Sequence, residues 1–175
     1  MTTTICFGGA ICNGGNGTVI ITDSNLTHNN ITGTGGAICN GGNGTVNITD
    51  SNLTHNNASS GGAISNEDGA TVIINNTNFT HNNATEGSGG AISNEYGATV
   101  TIYNSHIAQN NAENNGGAIY NSAGYYGGYS IVTIYNTNLT DNTAGFMFTI
   151  LESTHYGTGN GGAIYNAGYN STVTI

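Results

Sequence analysis

The chain has 175 residues with no Lys, Arg, Pro or Trp, and its nine Asp and Glu give a formal net charge of −9. Without basic side chains for phosphate contacts, nucleic acid and anionic lipid surfaces are poor partners, and no apolar run reaches the roughly eighteen residues of a helical membrane span. Leu, Ile, Val and Phe are scarce, as in disordered chains, but the charged fraction is only 5% and the apolar residues recur in register, so order here comes from repetition.

The opening Met1-Thr2-Thr3-Thr4-Ile5-Cys6 has no positive end and no long apolar core, so it does not read as a secretion signal. The expectation is a piece of a longer surface protein, exported by a segment outside this sequence. Gly-Gly-Ala-Ile then opens at Gly8, Gly35, Gly61, Gly89, Gly116 and Gly161. A period in the twenties marks a solenoid. After each opening comes a variable residue (Cys12, Cys39, Ser65, Ser93, Tyr120, Tyr165) and then Asn (Asn13, Asn40, Asn66, Asn94, Asn121, Asn166). Strand alternation predicts the variable residue outward and its Ile and Asn neighbours inward.

A Gly-containing turn leads to a Val-x-Ile pair at Val19/Ile21, Val46/Ile48, Val72/Ile74, Val100/Ile102, Val132/Ile134 and Val173/Ile175. This is a second strand with period-2 alternation. A third segment carries Ser or Thr (Ser24, Ser51, Thr77, Ser105, Thr137). An apolar residue follows two later (Leu26, Leu53, Phe79, Ile107, Leu139), and Asn three after that (Asn29, Asn56, Asn82, Asn110, Asn142). The pattern predicts an all-β fold. Residues 1–175 form one single-stranded parallel β-helix of about six coils, each of three short strands, with irregular insertions near 122–130 and 145–160. Coils spaced about 4.7–4.9 Å apart make a rod roughly 30 Å long. One coil cannot bury its few apolar residues, whereas stacked coils build continuous Ile, Val and Leu/Phe columns. Inward Asn amides at the bends can hydrogen-bond to the Asn above and below.

On the Gly-Gly-Ala-Ile tetrapeptides, and on Phe79-Thr80-His81-Asn82 with its relaxed forms Leu26–Asn29, Leu53–Asn56, Ile107–Asn110 and Leu139–Asn142, the chain resembles two families. They are the repeats of chlamydial polymorphic outer membrane proteins and the adhesin-like surface proteins of methanogenic archaea. The resemblance covers nearly the whole chain. It implies a right-handed β-helix at the cell surface, extracellular, with adhesion or surface coating as its role. It brings no catalytic residues with it.

Four features are candidates for chemistry. His28, His55 and His81 hold one position on three successive coils, close enough to bind a metal or to couple their titrations; a solvent-facing turn copied by duplication gives the same pattern. Glu67, Asp68 and Glu95 form an acidic group on adjacent coils, with Asp23 and Asp50 a second like-charged stack. Carboxylates so paired suit glycoside hydrolysis or a weakly bound calcium, or stand simply solvated. Cys12 and Cys39 occupy equivalent positions and Cys6 lies near the N-terminus, so three thiols leave the pairing open. The insertions place Tyr125, Tyr126, Tyr129, Phe146, Phe148 and Tyr156 where solenoids carry binding loops, unless the apolar ones fold back over the flank.

The leading functional expectation is a non-enzymatic surface solenoid that presents loops to glycans or proteins of host or neighbouring cells, with no cofactor. End-to-end self-association through open strand edges is expected as well. The rival is a pectin lyase-like enzyme acting on polysaccharide, which would share the fold. Fold does not confer that activity. Lyase chemistry of that kind needs a basic residue, and the chain has no Lys or Arg.

Overall fold

The computed structural model describes residues 7–124, 128–145, 147–150, 153–156, 161–168 and 170–175, with 147–150 and 153–156 described as backbone. The described residues form a right-handed parallel β-solenoid. Two six-stranded sheets run its length. One is built from Ile11–Asn13, Ile38–Asn40, Ile64–Asn66, Ile92–Glu95, Ile119–Ser122 and Ile164–Ala167. The other is built from Thr18–Thr22, Thr45–Thr49, Thr71–Asn75, Thr99–Tyr103, Ser130–Tyr135 and Ser171–Thr174. A third sheet contains the segments Asn25–Thr27, Asn52–Thr54, Asn78–Thr80, His106–Ala108 and Asn138–Thr140.

The structure adds a fourth strand per coil to the three expected from sequence. It is only two residues long: Asn57–Ala58, Asn83–Ala84, Asn111–Ala112 and Thr143–Ala144. Its alanines Ala58, Ala84 and Ala112 are fully buried.

Register is one residue over its equivalent throughout. Ile38 lies beside Ile64, Ile64 beside Ile92 and Ile92 beside Ile119. Val46, Val72, Val100 and Val132 align in the same way, as do Leu53, Phe79 and Ile107. These columns are the core, and their central members have no exposed surface. Each such side chain contributes roughly 1.5–3 kcal/mol of transfer free energy. Sparse aliphatic residues therefore suffice when most of them are spent on the axis, with Ile20, Ile73 and Ile131 left outside.

The Gly-Gly-Ala corner has a steric cause. Gly61 adopts φ +59°, the left-handed region that favours glycine, and a Cβ there would stand 2.3 Å from the Ile64 carbonyl oxygen. Its neighbour Gly62 faces the next coil: a Cβ would stand 2.1 Å from the Gly90 carbonyl oxygen and 2.6 Å from the Asn83 nitrogen. The first glycine turns the chain and the second lets two coils and the two-residue strand meet. Ala63 completes the corner, fully buried.

Two inward Asn ladders close the bends. Along the first, each Nδ2 donates to the Oδ1 of the coil above, from Asn13 through Asn40, Asn66, Asn94 and Asn121 to Asn166, at 2.8–2.9 Å. Along the second, Asn29, Asn56, Asn82 and Asn110 donate in turn to the next Asn, ending on Asn142, at 2.9–3.0 Å. Asn40, Asn66, Asn94, Asn56, Asn82 and Asn110 are fully buried. Their polar groups are matched within the stack, as burial demands.

Candidate functional site

The His column is real. His28, His55 and His81 stack with ring centroids 4.9 and 4.8 Å apart and planes within 4°. They are exposed, and each adopts a left-handed backbone with φ of 56–57°; Gln109 at 55° and Asp141 at 53° do the same at the equivalent turn. His, Asn and Asp are enriched in that conformation, so the turn itself accounts for the repeated residue type. Imidazole lone pairs lie in the ring plane, and parallel rings aim them side by side instead of at one point. Chelation of one ion by two of these rings requires them to leave the stack. Among the described residues no group of three or more His, Cys, Asp or Glu has metal-holding geometry.

The acidic group has more structure than its sequence suggests. Strand alternation predicts Ser65, Ser93 and Cys39 on the outside; instead Ser65 and Ser93 are fully buried and Cys39 is 1% exposed. The serines share their outer face with Glu67 and Glu95, two residues on. The Ser65 hydroxyl donates to the Glu67 carboxylate, and the Ser93 hydroxyl donates to Glu95 Oε1 at 2.6 Å. Each glutamate thus folds back over its serine. Burial pushes the Glu95 carboxyl above its ordinary range; the Ser93 hydrogen bond opposes this, and the Glu67 charge reinforces it. Asp68 and Tyr96 take equivalent left-handed turn positions, φ 54° and 55°. The Tyr96 phenol is raised chiefly by the neighbouring Glu95 charge, then by burial and by the charges of Glu67 and Asp68.

Tyr125, Tyr126 and Phe146 lie outside the described residues. Phe148 and Tyr156 stand on an antiparallel hairpin, Met147–Ile150 with Ser153–Tyr156, in which Phe148 pairs with His155 and Met147 with Tyr156. The segment expected to be an irregular insertion thus holds two paired strands. Tyr129 is 67% exposed. Two aromatic pairs went unremarked in the sequence: Tyr103 over Tyr135, 5.0 Å apart and within 7° of parallel, and Tyr120 over Tyr165, 5.7 Å apart and within 9°. Their signal is the outward position one residue past the Val-x-Ile pair for the first, and the variable position for the second. Rings stacked along the axis cover one face of each partner.

Cys12 and Cys39 are register partners on the first two coils, and Cys39 takes part in a disulfide. Cys6 lies outside the described residues. No helix among the described residues is long and apolar enough to cross a membrane.

The Gly161-Gly-Ala-Ile164 corner and the Leu139–Asn142 segment fall in one stretch that a family model matches. Residues 136–167 match the model of the Chlamydia polymorphic membrane protein repeat. The matched stretch ends in the Ile164–Ala167 strand, which pairs with Ile119–Ser122 in register. Its two tetrapeptides recur on the other coils. No curated protein and no solved structure matches the chain.

Proposed function

We propose that this chain is a non-enzymatic, surface-displayed solenoid of the polymorphic membrane protein kind, holding side chains and loops out to glycans or proteins on neighbouring cells. The observation that carries the reading is the repeat match over residues 136–167, set in a fold where the repeated polar residues serve the coils themselves. The inward Asn, the corner glycines and the turn His all have structural work, and a binding role falls to what varies between coils. Cys39 in a disulfide favours an oxidising compartment outside the cytosol. The variable, outward positions include Tyr129 and the Tyr103–Tyr135 pair.

The test is direct. The purified chain, presented to a glycan array and to immobilised cell-surface proteins, is expected to be retained by a subset without changing it. Release of reducing ends or unsaturated products from pectin or alginate contradicts the reading and favours a polysaccharide-acting enzyme.

A further inference from the structure

We propose that Glu95, one strand spacing from Glu67, is a proton-holding rung that tightens the middle of the rod in mild acid. The geometry begins with register: Ile64, Ser65 and Asn66 lie beside Ile92, Ser93 and Asn94. Glu67 and Glu95 are therefore the next rung on adjacent coils, one strand spacing apart, about 4.8 Å. Both are turned back onto the wall of the solenoid by hydrogen bonds from fully buried serines. That orientation keeps them close to each other and takes them partly out of water.

Among the described residues, the groups around the pair bring no side-chain cation. On their own turns stand Asp68 and Tyr96. On the coil above, Tyr120 lies over Ser93, and Ser122 lies over Glu95. On the coil below, the Glu67 nitrogen donates to the Asn40 carbonyl, and Gly41 and Gly42 follow; Cys39, beneath Ser65, is disulfide-bonded. The chain has no Lys or Arg at all. Two half-desolvated carboxylates one strand spacing apart repel, and a proton on one of them removes the repulsion and the desolvation together. The raised affinity of Glu95 for its proton agrees with this arrangement.

The sign follows from linkage. Glu95 is raised above 4.5 in the folded chain, so the folded state holds this proton more tightly than the unfolded one. Its stabilisation is fully present below the unfolded value and is lost as pH rises through the folded one. The rod is therefore firmer in mild acid than at neutral pH, in contrast to proteins whose carboxylates are ion-paired.

Two measurements test this. Thermal unfolding of the whole chain, of Glu95→Gln and of the exposed control Glu86→Gln is compared between pH 7.5 and pH 5. The melting temperature of the wild type is expected to rise in acid by a few degrees more than that of Glu95→Gln, and Glu86→Gln is expected to behave as wild type. In parallel, the ¹³C side-chain carboxyl resonance of Glu95 is titrated in the wild type and in Glu67→Gln, where its midpoint is expected to fall. An equal acid response in wild type and Glu95→Gln, or an unmoved Glu95 midpoint in Glu67→Gln, overturns the proposal. A rise in wild-type melting temperature with millimolar calcium at pH 7.5, abolished by Glu95→Gln, replaces the proton with a cation and overturns it as well.

Discussion

Asn82 is fully buried, and its amide is used on every side. Its Oδ1 accepts from the Asn56 nitrogen and from Asn56 Nδ2, each at 3.0 Å. Its Nδ2 donates to the Leu53 carbonyl at 2.8 Å and to Asn110 Oδ1 at 2.9 Å. Truncation takes the acceptor from both Asn56 donors and a donor from the Leu53 carbonyl, all on the coil below and out of water's reach, while Asn110 Oδ1 above keeps the Asn82 backbone N–H. A stranded buried group costs about 1–3 kcal/mol, so Asn82→Ala is expected to lower stability by about 3–5 kcal/mol in urea denaturation. Asn25 also sits in an Asn ladder, accepting from Asn52 Nδ2 at 2.8 Å, but it is exposed. Water replaces its lost bond, and Asn25→Ala is expected to stay within about 0.5 kcal/mol of wild type. Equal losses in the two variants would mean that the inner ladder is not a structural element.

The coil corner is the element on which stacking depends, and the same comparison works there. A Cβ on Gly90 would stand 2.1 Å from the Gly117 carbonyl oxygen and 2.6 Å from the Asn111 carbonyl oxygen, both backbone atoms of packed coils. Nothing flexible can yield, so Gly90→Ala is expected to cost about 3 kcal/mol or more. Gly15 has open space where its Cβ would go, and Gly15→Ala is expected to move the urea midpoint little. This corner was legible in the sequence as a tetrapeptide, because a glycine demanded on every coil recurs on every coil. So were the inward Asn and the Val-x-Ile strand, whose alternation is long enough to show a period. The strand Asn57–Ala58 was not legible: two residues carry no alternation. The buried Ser65 and Ser93 were not legible either, since alternation reports only which side a residue faces. It does not report that a glutamate two positions on will close over that side. The His column was visible as a repeat, but its cause, a left-handed turn, became apparent only from the backbone.

At the scale of the whole molecule, repetition divides the sequence into two kinds of position. Residues that recur on every coil build the axis: the Ile, Val and Leu/Phe columns, the Asn ladders and the corner glycines. Residues that differ between coils decorate the rod, among them Glu67 and Glu95 in the middle and Tyr129 towards the C-terminal coils. Such an object gains length by adding coils without redesigning its core, because each coil contacts only its neighbours. That property suits the display scaffold proposed above, in which recognition would fall to the decorated positions.

The central claim is that equivalent residues of successive coils are immediate spatial neighbours. Nuclear Overhauser contacts between selectively labelled isoleucine and valine methyl groups test it most directly. The account predicts an unbroken walk from Ile38 to Ile64 to Ile92 to Ile119, with a parallel walk from Val46 to Val72 to Val100 to Val132. Cross-peaks confined to residues close in sequence, with none joining Ile64 to Ile92, would contradict it.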